Sequence, residues 1–482
     1  MRICTRFLGL IALTSWAGDC CALTPYEEPI DLPTCDESNP EVRFIKSMPD
    51  WLDINNEKYS VFCVLPGIYT DATVITLTRS GTINQKRWIR WYDPLHPLDK
   101  ETHPVQMPNK QQAVIKQLFV GDYKKRAPVA HWVIDRLVIR GSEGANWIGG
   151  GSTNNILNRL LIEEGKTSYV VFDDAKENVL QNSVLRDTPH KANTDYSLIY
   201  FSKNEGTRIV NNELYNATAS GVQQGPLSLS NQTVYGNEFY VTSDRYTNCN
   251  GAFDPKGKCS CTEIGIVLKG PALPDKSFRI EKNIFWGFRP TDTKCGGTGS
   301  PGQAIDLGSA DNPTSNVLIK DNIIYDSGLG IYLGRYVNNV SVIGNVFYDI
   351  SGSERGSGTA ISNGYGLSTT IANNTIISAD YWYRTSHLAK DGLVECNVVI
   401  NSPRVDSAGF VGEDSPLINN YLYNSRPLVN AKVHSEKIFH SASDSQNQNL
   451  CFLTQKHTGP VEICIPYAKA SSASPHTDCT TR

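Results

Sequence analysis

Lys269 is the only charged residue in a lane of small residues. Successive repeats of the chain bring six residues to equivalent positions, namely Ser202, Gly225, Lys269, Gly308, Gly334 and Gly364. A lysine has a pKa of ~10.4 in water, and burial or neighbouring cations lower that pKa, which lets the amine act as a general base. The pattern therefore predicts a glycine-lined groove floor with Lys269 as its catalytic base.

A second lane beside it carries side chains that suit a sugar polymer. Its members, one from each repeat, are Tyr200, Gln223, Val267, Asp306, Tyr332 and Ser362. Side chains alternate along a strand, so this lane and the lane of Lys269 should both point away from the core. Tyr200 and Tyr332 can stack on sugar rings, and Asp306 is expected one rung from Lys269 on the diagonal.

Two arginines extend the positive charge of this predicted face. If Arg335 reaches across, it lowers the pKa of Lys269 and contacts the substrate, so we assign it to the catalytic group with Lys269. Arg384 lies two repeats further along the chain. The predicted substrate-binding residues are therefore Tyr200, Gln223, Asp306, Tyr332 and Arg384.

A short sequence motif that repeats along the chain must position these side chains. Each copy has a small apolar strand, a break, a second strand with an Asn followed by two apolar residues, and a turn. The anchoring asparagines are Asn182, Asn212, Asn237, Asn283, Asn322, Asn345, Asn374, Asn397 and Asn420. Neighbouring anchors are 30, 25, 46, 39, 23, 29, 23 and 23 residues apart. A short period with occasional insertions is typical of a solenoid.

Within each copy the apolar residues alternate, as Ile266 and Leu268 do, and this is the period of a β-strand. A coil of this size cannot bury its own apolar face, so it must stack on its neighbours. We therefore predict an all-β chain that forms a single right-handed parallel β-helix. Asn tolerates a left-handed turn, and its amide can bond the backbone and the next Asn in the stack. The anchors are expected to be structural.

The solenoid is expected to be flanked by other segments. We predict a signal peptide at 1–22, an N-terminal capping segment at 23–60, the β-helix at 61–430, and a C-terminal cap and tail at 431–482. Insertions at 242–261 and 289–302 come just before the first strands of their coils. They should form adjacent loops that wall the binding face, because insertions on one side of a solenoid commonly do so.

The first residues have the composition of a secretory signal. Residues 1–6 carry positive charge, and the apolar run at 7–17 is too short to span a bilayer. Small-residue cleavage sites end at both Ala17 and Ala22. A cut after Ala22 leaves ten of the 13 cysteines, an even number that suits the disulfides of an exported protein. Plausible pairs are Cys35 with Cys63, two bridges among Cys249, Cys259, Cys261 and Cys295, and Cys451 with Cys464.

Charge limits the class of partner. The net charge is −4 and the isoelectric point is about 6.2, with no basic run in the sequence. Nucleic-acid binding usually needs a visible surplus of Lys and Arg, so nucleic acid is not expected as a partner. An anionic polysaccharide needs only local cations. We expect this partner, a secreted chain, no membrane span and a monomer.

Two neighbouring segments resemble a motif of known enzymes. Residues 262–270 (TEIGIVLKG) and 278–283 (FRIEKN) look like the Glu-Ile…Lys strand and the following Ile-x-x-Asn strand of the Ca²⁺-supported β-helix polysaccharide lyases related to alginate lyase and chondroitinase B. Residues 65–69 (LPGIY) and 80–82 (SGT) are similar to the opening of such chains. The fold resemblance covers most of residues 61–425.

This resemblance implies a polysaccharide lyase that acts on a uronate polymer. Lys269 would be the Brønsted base, and Glu263 would be a ligand of a Ca²⁺ ion that neutralises the uronate carboxylate. β-Elimination removes the proton next to that carboxylate, so the carboxylate must first be neutralised by a cation or by hydrogen bonds.

Other functions stay open at this stage. The Asp187-Thr188-Pro189-His190 segment resembles the Asp-Pro-His segment of β-helix mannuronan epimerases, in which His abstracts the same proton, so His190 is a further catalytic candidate. A glycoside hydrolase needs two or three clustered carboxylates, and only Asp306 is well placed. A non-catalytic surface or carbohydrate-binding β-helix is the alternative from another class.

Overall fold

The computed structural model describes residues 26–71, 74–95, 102–188, 196–227, 231–243, 264–270, 276–289, 302–308, 313–352, 358–386, 388–402, 417–423, 425, 433–439, 447–456 and 459–468. The chain winds into stacked coils whose short strands pair in parallel with the equivalent strands of the coils above and below. The predicted all-β fold, a parallel β-helix, is confirmed.

One side of the stack is an 11-stranded parallel sheet, which we call the front sheet. In chain order its strands are Ile75–Leu77, Leu118–Val120, Asn146–Gly149, Val170–Asp173, Ser197–Ser202, Ser220–Gln224, Ile264–Leu268, Gln303–Leu307, Leu329–Leu333, Thr359–Asn363 and Tyr381–Thr385. Each strand pairs only with the front strands of the neighbouring coils, so residues at the same position in successive coils form columns.

The other two sides form a 27-stranded sheet that bends at a corner in every coil. The strands before the corner, called the first flank, are Val42–Ile45, Val61–Val64, Arg87–Trp91, Trp132–Asp135, Ile156–Asn158, Val179–Gln181, Arg208–Val210, Thr233–Tyr235, Phe278–Glu281, Thr314–Lys320, Val337–Ile343, Leu367–Ala372 and Leu393–Glu395. The strands after it, called the second flank, are Gly67–Tyr69, Ala113–Ile115, Val138–Arg140, Leu161–Glu163, Val184–Arg186, Glu213–Tyr215, Glu238–Tyr240, Ile284–Trp286, Ile323–Ser327, Val346–Ile350, Thr375–Ile377 and Val398–Ile400. Leu417–Tyr423 and Val433–Phe439 extend this sheet at its C-terminal end.

The remaining elements are few. An antiparallel hairpin joins Asn447–Lys456 to Gly459–Ala468, and its register sets Cys451 opposite Cys464. Three short 3₁₀-helices span Met48–Asn55, Pro104–Gln106 and Asn109–Gln111. Among the described residues, no helix has the length and apolar character needed to cross a membrane.

The core lies inside the coils, where inward side chains stack in columns. Ile266, Ile305 and Ile331 occupy one inward column of the front sheet, and each is at most 1% exposed. Leu268, Leu307 and Leu333 fill the next inward column. Burial of one such side chain is worth ~1.5–3 kcal/mol, and only stacking of many coils provides it, which explains why the repeat must be long.

A ladder of buried asparagines fixes the corner between the two flanks. Asn322 donates its amide N–H to the Asn345 side-chain oxygen at 2.9 Å and to the Ile280 carbonyl at 2.8 Å, and it accepts from Asn283 at 3.0 Å. The same pattern runs without a break from Asn212 to Asn420. The structural assignment of these anchors is therefore confirmed, since each amide replaces lost water contacts in the interior.

The prediction that Asn182 belongs to this ladder is wrong. Ser183 takes that position, and its backbone N–H donates to the Asn212 side chain at 2.9 Å. Asn182 instead points outward and donates to Glu27 at 2.8 Å. The left-handed residue at each corner is also the one before the anchor, with φ of 52° at Asn182 and 55° at Lys282. The anchor is therefore selected for its buried amide and not for an unusual backbone conformation.

Residues 26–35, which we call the strap, lie along the outer side of the first flank. The backbone of Glu28 pairs with the Gln181 side chain in both directions, at 2.9 and 3.0 Å. The Tyr26 ring packs edge-on against Tyr235 with the ring centroids 5.0 Å apart. Further along, Ile30 packs against buried apolar residues of three successive coils. The strap thus ties together coils that are distant in sequence.

A disulfide between Cys35 and Cys63 fastens the strap to the first flank, as the cysteine spacing predicts. Beneath the strap, Asp135 is fully buried and accepts from Asn158 at 2.6 Å, with Arg136 at 3.5 Å. Burial raises the pKa of the Asp135 carboxyl, and the neighbouring arginines oppose this shift. A buried carboxylate needs such partners, so the strap and these polar groups depend on each other.

Candidate functional site

The outward lane of the front sheet has the register that the alternation predicts. Asp306 pairs with Val267 on one side and with Tyr332 on the other, and Tyr332 pairs in turn with Ser362. Ser362 pairs with Arg384, which continues the column. Because adjacent parallel strands are ~4.8 Å apart, Asp306, Tyr332 and Arg384 lie within about three rungs of one another.

Tyr200 and Gln223 are also neighbours, but they form a separate group. They pair directly with each other on adjacent strands, and both are half-buried. Gln223 accepts a hydrogen bond from the Ser197 hydroxyl at 2.9 Å. Val267 lies between this pair and Asp306, and it is only 4% exposed. The predicted face is therefore interrupted at this rung.

Lys269 follows the strand Ile264–Leu268 and is half-buried. Its backbone N–H donates to the Gln224 carbonyl at 3.0 Å, and this bond holds the backbone of Lys269 directly after the strand. The lane also continues on the other side, because Asp173 pairs with Ser202 in the same register. Asp173 is thus a second charged residue in this lane, three rungs from Lys269, and the sequence interpretation did not include it.

The glycines of the lane are places of close approach between chains. A Cβ atom at Gly308 would lie 2.7 Å from the Arg335 carbonyl oxygen, and one at Gly334 would lie 2.6 Å from the Gly308 carbonyl oxygen. A Cβ at Gly225 would collide with the Tyr200 hydroxyl. These positions need glycine because the space is already filled, and so they do not form the open groove floor that we expected.

Asp306 and Tyr332 influence each other electrostatically. Burial raises the pKa of the Tyr332 phenol above its usual value, the Asp306 carboxylate raises it further, and Arg335 lowers it. The phenol therefore stays protonated through the physiological range and is able to donate a hydrogen bond there.

Two arginines on this face are stacked on tyrosines. The Arg335 guanidinium carbon is 5.3 Å from the centroid of the Tyr365 ring, and that of Arg384 is 5.3 Å from the centroid of the Tyr381 ring. Arg335 is exposed, and Arg384 is half-buried. Cation–π contact holds a guanidinium in place while its N–H groups still point to other partners.

Tyr365 and Tyr381 were missed in the sequence interpretation. Tyr381 is three residues before Arg384 on the same strand, so the repeat alignment could have shown it. Tyr365 comes directly after Gly364, as Arg335 comes after Gly334, so the two residues are equivalent in the repeat, but the alignment ends at the lane. Tyr365 belongs to the coil that follows the coil of Arg335. The Arg335 guanidinium therefore contacts a ring on the side of the stack away from the Lys269 coil.

Several predicted features fall elsewhere. His190 and Glu263 lie outside the described residues, as do most of the insertions at 242–261 and 289–302. Within the described part of the chain, no three His, Cys, Asp or Glu side chains are grouped so that they could hold a metal ion.

The arrangement combines the groups that an acidic glycan would need. Tyrosine rings offer flat apolar faces, two stacked guanidiniums offer fixed positive charge, and Asp306 with Gln223 offers hydrogen-bond acceptors. All of these residues belong to front strands or to the turns that follow them. The parallel register sets their spacing along the stack.

Comparisons with known proteins give only distant similarities. No family model matches the chain, and no curated protein does. A mutant tailspike protein of E. coli bacteriophage HK620, in complex with a pentasaccharide, is 13% identical, with 80% of this chain and 68% of that chain covered and a TM-score of 0.47. A PL6 family polysaccharide lyase from Pseudopedobacter saltans is 12% identical, with 83% and 92% covered and a TM-score of 0.42. At these TM-scores the similarities carry no argument about function.

Proposed function

We propose that this protein binds an anionic polysaccharide along the front sheet and cleaves it by β-elimination. The observation that carries the proposal is the pair of arginine–tyrosine stacks, Arg335 on Tyr365 and Arg384 on Tyr381, beside Asp306 and Tyr332. Together they give one face of a rigid sheet fixed cations, flat rings and hydrogen-bonding groups at regular spacing.

The positive groups favour a uronate polymer over a neutral one. A guanidinium binds a carboxylate through two parallel N–H···O bonds, and this contact is stronger than one between neutral groups. Arg335 is exposed and already held by Tyr365, so little side-chain entropy is lost when it binds a carboxylate. Arg384 provides a second contact of the same kind along the stack.

Elimination needs a base near the neutralised carboxylate. In the proposed reaction the Lys269 amine takes the proton from the carbon next to the carboxylate, and the electron pair of that C–H bond forms a carbon–carbon double bond. The glycosidic C–O bond on the adjacent carbon breaks, and the leaving oxygen takes a proton from water. Arg335 stabilises the negative charge that builds up on the carboxylate oxygens.

Two further parts of the proposal rest on the sequence alone. The signal-like residues 1–22 favour a secreted protein, and sequencing the N-terminus of the exported chain would test the cleavage after Ala22. The resemblance around Glu263 favours dependence on Ca²⁺. Activity measured after EDTA treatment, with and without added Ca²⁺, would test it, and no step above is assigned to the ion.

The decisive experiment measures the ultraviolet absorbance of unsaturated uronate on a panel of alginate, pectate, chondroitin and glucuronan. The protein should produce this chromophore from one of the polymers. Lys269→Ala should abolish the signal, whereas Lys320→Ala, a lysine on the first flank, should leave it unchanged. Full activity of Lys269→Ala would exclude Lys269 as the base.

Glycan binding without cleavage is the second candidate function. The burial of Val267, two residues before Lys269 in the same coil, favours it because this residue interrupts the open face close to the proposed base. Retention of the protein on one of the polymers without formation of product would support this function.

A further inference from the structure

A cluster of aromatic rings lies on the front sheet close to its N-terminal end. Phe119 and Trp147 are outward residues paired on adjacent strands, and Tyr123 comes from the loop that follows the first of them. The Tyr123 ring centroid is 5.2 Å from that of Trp147 and 5.8 Å from that of Phe119. Phe119 and Trp147 belong to the same outward column that further along contains Tyr200, Gln223 and Asp306.

The loop that carries Tyr123 is rigidly built. Gly121 has φ of +109°, and Asp122 forms an antiparallel bridge with Ala127 that closes the loop. The Asp122 carboxylate accepts the backbone N–H groups of Lys124 and Lys125, each at 3.0 Å. A side chain on a loop held in this way loses little freedom when it binds a ligand.

Tyr123 is exposed, although the rings beneath it are covered. Its exposed fraction is 55%, while Trp147 is 4% exposed and Phe119 is half-buried. Trp147 therefore acts as a support, and Tyr123 presents aromatic surface to the solvent. A single exposed apolar residue is common on proteins, so the exposure alone carries no argument.

A polar pair borders the exposed ring. Arg126 from the same loop forms an ion pair with Asp173 at 2.9 Å, and the two side chains are 46% and 20% exposed. The Asp173 carboxylate also approaches the Trp147 indole nitrogen at 3.5 Å. Tyr200 lies on the adjacent strand, paired with Val171, which is two residues before Asp173. Burial raises the pKa of the Tyr200 phenol, and Asp173 raises it further.

We propose that Tyr123, Phe119, Arg126 and Asp173 form a saccharide-binding subsite that holds one pyranose ring. The Tyr123 ring contacts the apolar C–H face of the sugar. The guanidinium donates to ring hydroxyls, and the carboxylate accepts from them. Because the ion pair neutralises itself, this subsite suits the uncharged hydroxyls of a sugar ring better than its carboxylate.

The position of this subsite makes it a distal contact for a long chain. Trp147 and Asp306 are five strands apart on the front sheet, which corresponds to ~24 Å at ~4.8 Å per strand. A polymer along the column could therefore reach both places, whereas a short oligosaccharide bound near Asp306 could not. This inference rests on the polysaccharide binding proposed above.

The test compares long and short ligands. Binding of alginate, pectate, chondroitin and glucuronan, and of size-fractionated oligosaccharides from each, is measured by titration calorimetry. Tyr123→Ala should weaken polymer binding about fivefold to tenfold, the loss expected for one exposed stacking contact. It should leave the binding of short oligosaccharides unchanged. Tyr123→Phe keeps the ring and should bind as the unmodified protein does, and Arg126→Gln should weaken polymer binding by a smaller factor.

Controls separate this inference from the proposed function. Leu52→Ala removes an exposed apolar side chain, 86% exposed, from the 3₁₀-helix Met48–Asn55 outside the proposed subsite, and should change nothing. The thermal unfolding of Tyr123→Ala should match that of the unmodified protein. Polymer binding that depends on Tyr123 without any product would support the subsite and overturn cleavage. Unchanged polymer affinity in Tyr123→Ala would overturn the subsite and leave the function standing. No binding to any of the polymers would overturn both.

Discussion

The Tyr332 ring lies over Gly364 of the next coil, where a Cβ atom would stand 3.6 Å from the phenolic oxygen. Two other outward aromatic residues have the same relationship to the neighbouring lane. Tyr200 lies over Gly225 of the next coil, and Trp147 lies over Gly149, two residues later on its own strand. The lane glycines thus give the aromatic side chains of this face a place to lie flat. The tolerance of these lane glycines to substitution should differ according to the space around each of them.

Gly308→Ala should be strongly destabilising. Gly308 has φ of +91°, and the new Cβ would stand 2.7 Å from the Arg335 carbonyl oxygen, so both backbone strain and a steric clash arise. We expect the free energy of unfolding to fall by about 1–3 kcal/mol. Gly364→Ala is the matched control, because its Cβ would make only ordinary contacts, and we expect a change below about 1 kcal/mol. Equal effects of the two changes in urea unfolding would contradict this interpretation of the lane.

Arg335→Lys should be a poor replacement for Arg335. Lysine keeps the charge but loses the planar group that stacks on Tyr365 and the paired donors that hold a carboxylate. Affinity for the polyanion that the protein binds should fall about tenfold in Arg335→Ala and recover only in part in Arg335→Lys. The difference should shrink at high salt. Arg279→Ala, on the first flank, is the control and should bind the polyanion with unchanged affinity. An equal loss of affinity in Arg279→Ala and Arg335→Ala would mean that the positive charge acts non-specifically.

Tyr332→Phe should improve stability relative to the unmodified protein in alkali. Burial and Asp306 raise the pKa of Tyr332 in the folded state, so the folded protein keeps the phenol proton that the unfolded chain releases near pH ~10. The stabilising contribution is fully present below that pH and is lost as the pH rises toward the folded-state pKa. Urea unfolding of both proteins at neutral and alkaline pH would show a difference that changes only in alkali. A difference that does not vary with pH would refute the shift.

After burial, the Asp306 carboxylate is the next cause of the raised pKa of Tyr332. Asp306→Asn removes the negative charge but keeps a hydrogen-bonding amide, so the pKa of Tyr332 should fall part of the way toward its usual value. Burial remains as the larger cause, and a part of the shift should persist. The difference in stability in alkali between Asp306→Asn and the double variant Asp306→Asn/Tyr332→Phe measures the part of the pKa shift that persists.

Reduction of the disulfide between Cys35 and Cys63 should loosen the strap. The bridge closes a loop over a sequence separation of 28 residues, for which chain entropy predicts a stabilisation of about 3–4 kcal/mol. Cys35→Ser with Cys63→Ser should lower the unfolding temperature, and dithiothreitol should have little further effect through this bridge. Limited proteolysis should then cut the chain near residues 26–35 sooner. An unchanged digestion pattern would show that the side-chain contacts of the strap suffice without the bridge.

The repeat was visible in the sequence because a stacked coil imposes the same demand every time. An inward Asn followed by apolar residues recurs at a short spacing that insertions lengthen in places, and together with the apolar alternation it predicts the fold and most of the ladder. The error at Asn182 has a simple cause, since Asn182 and Ser183 are both polar and either could satisfy the corner. Only the three-dimensional register decides which of two adjacent residues points inward.

The functional face was harder to predict for a different physical reason. Register could be counted within strands, and so the pairing of Asp306 with Tyr332 followed from the alignment. Tyr365 and Arg126 come after the ends of front strands, and their side-chain contacts depend on a loop conformation that the repeat does not specify. Clearance at Gly308 depends on a carbonyl from the next coil, which no pattern of residue types reveals.

Asn322→Ala should test how much the buried ladder contributes to stability. The change leaves the Ile280 carbonyl and the Asn283 backbone and side-chain N–H groups without their partner in a fully buried place. Such losses predict a decrease of about 2–4 kcal/mol in the free energy of unfolding. The free energy of unfolding of Asn322→Ser should lie between those of Asn322→Ala and the unmodified protein. The chain itself uses Ser183 at an equivalent corner, where the hydroxyl accepts the Leu160 N–H at 3.0 Å.

The matched control is Asn338→Ala, which removes an exposed amide from the outer side of the strand Val337–Ile343 and should change the free energy of unfolding by less than about 0.5 kcal/mol. Solenoids unfold in segments, so the transition should also broaden when a central rung such as Asn322 is lost. Urea titrations followed by circular dichroism measure both quantities. If Asn322→Ala and Asn338→Ala behaved alike, side-chain amides would be incidental to the stack, and the backbone pairing of the coils would have to supply the stability by itself.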